Sequence, residues 1–313
     1  MTKISVVLPI YNESKNIPIL FDKLYQVIKE MDFEIIAVND GSRDDSWEQL
    51  TLVAKENSNV KTINFVNNFG QTAALNAGIK HATGDVIILI DSDLENDPAD
   101  IPRLLQRIAD GYDVVSGWRQ NRWHGQYLTR KLPSMMANRL ISRISGVYLH
   151  DYGCTLKAYR SEVIKDVLLY GEMHRFIPVY ASWQGGRVTE IPVDYHPRIH
   201  GKSNYGFGRT YKVVLDLILI KFMQKYQNRP IHFFGGAGIL SFIVSIVAFL
   251  LAVYFKLTHQ KDFVQTPLPL FSAIFFLVGV IMIMLGINAE VQMRTYYESQ
   301  NREVYRIKEK INF

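Results

Sequence analysis

Two long stretches without a charged side chain, at about Phe233–Phe255 and Leu268–Ala289, limit the possible folds of this chain. Each one exceeds the roughly 20 apolar residues that are needed to cross the hydrocarbon core of a bilayer. Residues 1 to about 228 have instead the mixed apolar and charged composition of a soluble domain. We therefore expect a globular domain followed by a hairpin of two transmembrane helices over residues 231–290. The alternative is a pair of helices buried in a large globular core.

The charged residues around these stretches predict their orientation. Basic residues precede the first stretch and follow the second one: Lys221, Lys225, Arg229, Arg294, Arg302, Arg306, Lys308 and Lys310. The loop between the stretches contains only Lys256 and Lys261. Basic residues near the ends of transmembrane helices favour the cytoplasmic side. We therefore expect a multi-pass protein of the inner or plasma membrane, with the globular domain and both termini in the cytoplasm and residues 291–313 as a basic tail.

Net charge and cysteine content agree with a cytoplasmic membrane surface. The formal net charge of +5 suits anionic lipid headgroups, so the expected partner is the lipid bilayer and not nucleic acid. The chain begins with a strand-like segment at Ile4–Pro9, and no secretory signal is expected. The single cysteine, Cys154, excludes an internal disulfide and is typical of a reducing compartment.

Strands and helices are expected to alternate within residues 1–208. The apolar segments that predict strands are Ile4–Pro9, Phe33–Asn39, Val60–Asn64, Asp85–Ile90 and Asp113–Gly117. The segments between them carry apolar residues at helical spacing. This alternation predicts an α/β fold with a mainly parallel sheet and helices on both faces. An amphipathic helix is expected at residues 209–230, either in the headgroup plane of the membrane or packed as an ordinary helix.

Two carboxylates follow the fourth predicted strand. Asp91 and Asp93 stand one residue apart after the apolar run Val86–Ile90. Ligands of open α/β sheets bind beyond the C-terminal ends of the strands, and hard divalent cations prefer oxygen ligands and bridge substrate phosphates. The pair therefore predicts a site for Mg²⁺ or Mn²⁺ in an enzyme that uses a nucleotide diphosphate compound. Two acids in an isolated turn have the same sequence appearance.

The ends of the first two strands add further groups to this region. Tyr11 can pack on a nucleobase, and Asp40 can accept hydrogen bonds from a base or a ribose. Each residue alone is typical of a turn, but together they predict a nucleotide pocket. The motif G-x-x-x-x-G-K-[ST] does not occur, so the phosphates are not expected to be held as in a P-loop ATPase.

A series of motifs occurs in order along the first 228 residues. They are Val7-Leu-Pro-Ile-Tyr11-Asn-Glu13, Asn39-Asp-Gly-Ser42, Asn68-Phe-Gly70, Asp91-Ser-Asp93-Leu, Asp151-Tyr-Gly-Cys154-Thr-Leu-Lys-Ala-Tyr-Arg160, His174-Arg-Phe-Ile-Pro178 and Arg198-x-x-Gly201-x-Ser203-x-Tyr205. With the paired apolar helices, they resemble the membrane-anchored polyprenyl-phosphate glycosyltransferases. This inverting GT-A-fold group includes dolichyl-phosphate mannose synthase and the bacterial undecaprenyl-phosphate glucose and aminoarabinose transferases. The resemblance implies transfer of a sugar from a nucleotide sugar, with UDP favoured, to a polyprenyl phosphate at the cytosolic membrane face.

The resemblance also implies roles for individual residues. Catalytic roles fall to Asp91, Asp93, Arg198 and Lys202. Binding of the nucleotide sugar falls to Pro9, Tyr11, Glu13, Asp40, Gly70, Asp91 and Ser92. Binding of the lipid phosphate falls to Arg119, Arg130, Ser134, Arg198, Ser203 and Tyr205. The metal is expected on Asp93 and Asp91, with Glu95 as a further contact at a position where relatives usually have Gln.

Cys154 stands where some relatives have an acid that is proposed as the catalytic base. A thiol with a pKa of about 8.5 is a poor substitute for a carboxylate. However, the second pKa of a phosphomonoester is about 6, so the acceptor is largely a dianion at neutral pH and hardly needs a base. We therefore expect Cys154 to be compatible with activity, and Asp151 is a weak candidate for positioning the acceptor.

Two other functions remain open from the sequence. A processive polysaccharide synthase of the same superfamily carries Gln-x-x-Arg-Trp after the acceptor region, whereas Gln120-Asn-Arg122-Trp123 is one residue short and lies too early. A non-catalytic membrane scaffold would tolerate loss of the metal ligands, and this chain has both acids. A homo-oligomer is a further expectation from the resemblance. No short motif selects among UDP-glucose, UDP-N-acetylglucosamine and a modified arabinose donor, and GDP-mannose is less favoured.

Overall fold

The computed structural model describes residues 2–120, 122, 132–165, 167, 173–197, 230–298 and 305–313. These residues form two compact units. Residues up to 197 belong to the first unit together with the C-terminal residues 305–313, and residues 230–298 belong to the second.

An eight-stranded sheet forms the framework of the first unit within the described residues, with the strand order β7-β5-β6-β4-β1-β2-β3-β8. The strands are β1 Ile4–Ile10, β2 Phe33–Asn39, β3 Val60–Phe65, β4 Val86–Leu89, β5 Val114–Trp118, β6 Lys157–Arg160, β7 Val188–Pro192 and β8 Ile307–Ile311. The strands β1 to β4 pair in parallel, as do β5 and β7. Strand β6 is antiparallel to β4 and β5, and β8 is antiparallel to β3. The C-terminal ends of β1, β2, β4 and β5 therefore lie along one side of the sheet, which we call the carboxyl edge.

Helices cover both faces of this sheet. The α-helices of the described residues are α1 Ile17–Ile28, α2 Ser46–Glu56, α3 Gln71–His81, α4 Ile101–Ala109, α5 Leu132–Ser145, α6 Ser161–Ile164, α7 Ile177–Trp183, α8 Pro230–Leu257 and α9 Leu268–Glu298. Side chains alternate between the faces of a strand, so Leu8 of β1 shares a buried cluster with Leu20 of α1. Val7 faces the other way, against Gly78 of α3, where any side chain would collide with it. Every residue of β1 is buried, as is typical of a parallel sheet covered on both sides.

The predicted α/β fold is confirmed, with a mainly parallel sheet and helices on both faces. The five predicted strands correspond to β1 to β5 within one or two residues. The expectation of a tail over residues 291–313 was wrong for residues 307–311, which form β8 beside β3, and for residues up to 298, which continue α9. The charges of Lys308, Glu309 and Lys310 suggested a solvated tail, but an edge strand also keeps charged side chains in solvent.

The second unit consists of two long apolar helices. Each is long and apolar enough to cross a membrane, over Phe233–Leu257 in α8 and Leu268–Ala289 in α9. The helices approach closely where a Cβ added to Gly238 would lie 3.0 Å from the carbonyl oxygen of Gly279. Small residues allow such close contact between helices in a bilayer. Most of the large apolar side chains of α8 and α9 whose burial the structure describes are exposed.

The Glu34 carboxylate lies at the side of the sheet opposite the carboxyl edge and is 2% exposed. It accepts hydrogen bonds from Ser5 Oγ and the Thr83 backbone N–H, each at 2.6 Å, and it pairs with Lys61 Nζ at 2.8 Å. Burial raises the pKa of Glu34, but these partners outweigh burial and lower the pKa to about 2.

We expect Glu34→Gln to lower the free energy of unfolding of the first unit by about 3 kcal/mol near neutral pH. The stabilisation by the carboxylate is complete above its ordinary pKa of 4.5 and is lost as the pH falls towards about 2, so the two proteins should converge in acid. All four tryptophans belong to the first unit, so urea unfolding followed by tryptophan fluorescence measures the difference. The exposed carboxylate of Glu30 provides the control, and an equal loss in Glu30→Gln would contradict the prediction.

Candidate active site

The carboxyl edge brings together predicted site residues that are far apart in the sequence. Pro9 lies in β1, Asp40 directly follows β2, and Asp91 lies just beyond β4. Because β4, β1 and β2 are neighbours in the sheet, these residues lie side by side. The Ser92 hydroxyl donates to the carbonyl oxygen of Pro9 at 3.0 Å, which joins the end of β4 to β1.

The two acids at the end of β4 disfavour each other's charge. Burial and the negative charge of Asp93 raise the pKa of Asp91 to about 7. Asp91 Oδ1 accepts a hydrogen bond from Gln71 Nε2 at 2.7 Å, and a hydrogen bond from Thr155 also favours the ionised form. Asp93 is 6% exposed, and its Oδ1 accepts a hydrogen bond from the backbone N–H of Glu95 at 3.1 Å.

The chemistry of this acid pair fits a divalent cation. Within the described residues, no group of three or more His, Cys, Asp or Glu side chains is arranged to hold a metal by itself. Mg²⁺ sites commonly use one or two carboxylates and complete their coordination with substrate phosphates and water. Asp91 and Asp93 match that smaller set, and their mutual repulsion is what a nearby cation would relieve.

Asp40 organises the loop between β3 and α3. The Asp40 carboxylate accepts hydrogen bonds from the Phe69 backbone N–H at 2.7 Å, the Gly70 backbone N–H at 2.9 Å and Asn68 Nδ2 at 3.0 Å. Burial raises the pKa of Asp40 and outweighs these hydrogen bonds. Gly70 has φ 94, a left-handed conformation that favours glycine and that turns the chain into α3. Asp40 therefore fixes the shape of the pocket wall that the sequence assigned to the nucleotide.

Two other nucleotide-pocket candidates follow β1. The Tyr11 side chain is 42% exposed, so its ring is accessible for stacking. The Glu13 carboxylate accepts a hydrogen bond from Asn16 Nδ2 at 2.5 Å and lies just before α1. The structure thus leaves Tyr11 open to a ligand and gives Glu13 a role in the turn that starts α1.

Arg119 lies in a buried network of charges. It is 5% exposed, and its Nε and Nη2 atoms donate to the two oxygens of Asp151 at 2.8 and 3.1 Å. Its Nη1 donates to Glu95 Oε2 at 3.3 Å, and Arg122 Nη2 lies 3.5 Å from the same oxygen. Burial acts to raise the pKa of Asp151, but the positive charges of Arg119 and Arg122 outweigh it and hold that pKa below its usual value. Glu95 is thus bound to two guanidinium groups, an arrangement that the expectation of a metal contact did not include.

Three residues to which the sequence assigned no individual role lie near Asp91: Lys157, His174 and Gln71. Lys157 is buried at the start of β6, where burial lowers its pKa to about 8, and its Nζ donates to the Tyr152 carbonyl oxygen at 3.1 Å. It lines a small cavity together with Asp91 and His174. Gln71 contacts Asp91. Its position directly after the Asn68-Phe-Gly70 motif was the feature of the sequence that could have identified it as a site residue. Because β6 runs antiparallel, its first residue and not its last lies at the carboxyl edge.

The structure describes only part of the predicted acceptor site. Ser134 lies in α5 and is half-buried, and the exposed side chains of Met135, Met136 and Leu140 follow it. The remaining predicted residues lie outside the described residues: Arg130, Arg198, Lys202, Ser203 and Tyr205. The expected amphipathic helix at residues 209–230 also lies outside them, apart from Pro230.

Residues 5–168 match the sequence model of glycosyl transferase family 2. The dodecaprenyl-phosphate galacturonate synthase of Rhizobium johnstonii is 39% identical to this chain, and the match covers 98% of this chain and 92% of that protein. Among solved structures, the fold is similar to glucosyl-3-phosphoglycerate synthase from Mycobacterium tuberculosis in complex with Mn²⁺ and UDP-glucose. That match has a TM-score of 0.56 and 16% identity, and it covers 71% of this chain and 79% of the other. A second structure, described as a mycobacterial protein, matches with a TM-score of 0.54 at 17% identity over 71% of this chain and 74% of that one.

The Cys154 thiol is completely buried and donates to Asn96 Oδ1 at 3.3 Å. Burial raises its pKa to about 11, so the thiol is neutral throughout the physiological pH range. We expect Cys154→Ser to keep glycosyl transfer within about threefold of the unchanged protein between about pH 6 and 8, because a neutral thiol takes no proton in the reaction. Initial rates of sugar transfer across this pH range measure the effect. A loss of about a hundredfold in a variant with unchanged tryptophan fluorescence would instead make Cys154 part of the chemistry.

Proposed function

The chain belongs to glycosyl transferase family 2, and we propose that it transfers a sugar from a nucleoside diphosphate donor to the phosphate of a polyprenol, with inversion at the sugar carbon. The observation that carries this proposal is the 39% identity, over 98% of the chain, to a synthase named for a polyprenyl-phosphate product. The two apolar helices support a lipid acceptor, because they suit an enzyme that works at the surface of a bilayer. We further propose that the catalytic unit and both termini face the cytoplasm, and that the functional form includes a homo-oligomer.

The donor binds at the carboxyl edge of the sheet in this proposal. The base and ribose lie between Tyr11 and the loop that Asp40 fixes, and the diphosphate lies over Asp91 and Asp93. Asp91 and Asp93 would hold a Mg²⁺ or Mn²⁺ ion, which would supply Lewis-acid stabilisation of the leaving diphosphate. Gln71 orients the Asp91 carboxylate through its hydrogen bond. Arg198 and Lys202 are proposed to bind the phosphates with their positive charges. Arginine can bind two phosphate oxygens at once.

The acceptor phosphate is proposed to approach from the side of Arg119. That guanidinium group is oriented by two contacts with Asp151, and a third contact joins it to Glu95. Arg130, Ser134, Ser203 and Tyr205 complete the proposed phosphate site. A phosphomonoester with a second pKa of about 6 attacks as a dianion at neutral pH, so the site needs charge and orientation more than a base.

We propose that the donor is UDP-galacturonate and that the transferred sugar is galacturonate. The name of the relative from Rhizobium johnstonii supplies the sugar, and the M. tuberculosis structure binds a UDP-sugar. The cavity beside Asp91 is lined by Lys157, His174 and Arg175, and basic side chains suit the carboxylate of a uronic acid. The basic lining therefore favours an acidic sugar over a neutral one.

We expect the purified full-length protein to convert a single nucleotide sugar and undecaprenyl or dodecaprenyl phosphate into a lipid-linked monosaccharide. The panel comprises UDP-galacturonate, UDP-glucose, UDP-N-acetylglucosamine, a UDP-aminoarabinose donor and GDP-mannose, each with Mg²⁺ or Mn²⁺. Mass spectrometry of the lipid product identifies the sugar. Asp93→Ala should lose at least about a hundredfold of the activity, because one of the two carboxylates for the metal is removed. A polymeric product would indicate a processive synthase, and no product with any donor would indicate a scaffold.

Glu95→Gln tests how the arginine pair serves the acceptor. Removing the charge of Glu95 lowers the negative charge beside the guanidinium groups of Arg119 and Arg122, which strengthens their attraction for an incoming phosphate, while Arg119 keeps its contacts with Asp151. We expect the KM for the polyprenyl phosphate to fall by about threefold or more, with little change in the KM for the donor.

The matched control is Asp97→Asn, which removes an acid on the same loop. Asp97 contacts Lys23 and His196 and neither arginine, so the acceptor KM should stay unchanged in this variant. If the acceptor KM does not fall in Glu95→Gln, the result would favour the metal contact that was predicted for Glu95. In that case Glu95→Gln would raise the Mn²⁺ concentration needed for half-maximal rate and leave the acceptor KM unchanged.

A further inference from the structure

The beginning of strand β8 lies against the loop of residues 66–70, which forms the wall of the proposed nucleotide pocket. Strand β8 pairs with β3, with Ile63 opposite Lys310 and Phe65 opposite Ile307. Because β8 is antiparallel to β3, it begins at the carboxyl edge and ends at the opposite side of the sheet. Its first neighbour there is the loop of residues 66–70, whose Val66 N–H donates to the Arg306 carbonyl oxygen at 3.1 Å.

An aromatic stack connects the beginning of β8 to this loop. Tyr305 is 6% exposed, and its ring stacks on Phe65 with the centroids 5.0 Å apart and an interplanar angle of 16°. Phe65 in turn makes an edge contact with Phe69, at 5.7 Å and 86°. Aromatic pairs in these two geometries are favourable beyond the area that they bury. Tyr305 therefore contacts Phe69 indirectly, through the last residue of β3.

Phe69, at the end of the stack that lies away from Tyr305, contacts Asp40 through its backbone. The Phe69 backbone N–H donates to Asp40 Oδ1, and the next N–H, of Gly70, donates to Asp40 Oδ2. Asp40 is 3% exposed and cannot reach solvent in place of these donors. A change in the position of the loop would therefore change the hydrogen bonds of Asp40 and the shape of the pocket wall.

A separate set of contacts anchors the other end of the strand. Asn312 Nδ2 lies 2.7 Å from the carbonyl oxygens of both Ala54 and Val60, at the end of α2 and the start of β3. The Phe313 ring makes an edge contact with His81 at 5.2 Å. These contacts hold the strand on the sheet but lie at the opposite side from the nucleotide pocket.

We propose that Tyr305 is a positioning residue for the nucleotide donor, which it serves by holding the 66–70 loop, through Phe65 and Phe69, in the conformation that binds Asp40. This inference rests on the proposed function, because it assigns the donor nucleotide to the Asp40 pocket. Strand β8 thereby has two separable parts. The Tyr305 end sets the affinity for the nucleotide, and the Asn312 end only fastens the strand to the sheet.

The experiment measures binding of UDP, in the presence of Mn²⁺, to the full-length protein in detergent by titration calorimetry. Tyr305→Ala should raise the Kd for UDP by about fivefold, the effect of losing one aromatic pair. Tyr305→Phe keeps the ring and should bind within about twofold of the unchanged protein. Asn312→Ala is the matched control for loosening of the strand, and its Kd for UDP should also stay within about twofold.

Hydrogen exchange at the Phe69 and Gly70 amides supplies a second measurement that needs no ligand. Tyr305→Leu keeps apolar bulk in the same space, which guards against loss of folding, and it should speed exchange at these amides. Asn312→Ala should leave exchange there unchanged. The inference is overturned if exchange is unchanged in Tyr305→Leu, or if Asn312→Ala weakens UDP binding as much as Tyr305→Ala does. Failure of the unchanged protein to bind UDP would overturn the proposed function instead, and the exchange measurement would still decide the role of Tyr305.

Discussion

The repulsion between the carboxylates of Asp91 and Asp93, at the end of β4, is the interaction that the neighbouring residues of the site offset. Burial and the nearby charge of Asp93 both raise the pKa of Asp91 and so oppose its ionisation. The fold keeps them there because β4 is a short, buried strand between β1 and β6 and cannot move outward. Neighbouring segments then supply hydrogen-bond donors, among them Gln71 at the start of α3 and the N–H of Glu95. A site of this kind favours a substrate that arrives with a cation.

The arginine network extends the same balance of charge to the segment that follows β5. Glu95 and Asp151 are both acidic, and Arg119 contacts both of them. A buried arginine with two carboxylate partners is held in a single orientation. Glu95 also joins the two halves of the site, because its backbone contacts Asp93 and its side chain contacts Arg119 and Arg122. Glu95 is therefore the connection between the acid pair and the arginine network.

The sequence predicted the parts of the molecule that depend on local pattern and strand direction. Buried apolar strands can be recognised from their composition, so β1 to β5 were predicted. The position of Asp40 and Asp91 at one edge of the sheet followed from the order of the strands and helices. The pairing of Glu95 with Arg119 could not be predicted, because it depends on the orientations of two side chains that are 24 residues apart in the sequence. Lys157 was missed because β6 reverses the strand direction. Strand β8 was missed because a charged edge strand and a charged tail have similar compositions.

The discontinuity of the first unit has a consequence for biosynthesis. The sheet takes seven of its strands from the part of the chain before the apolar helices and its eighth, β8, from the part after them. A ribosome makes the chain from the N-terminus, so both apolar helices are complete before β8 exists. The edge of β3 consequently stays without its partner strand until both apolar helices have been synthesised. The sheet of this glycosyltransferase is therefore completed only after both apolar helices have been synthesised.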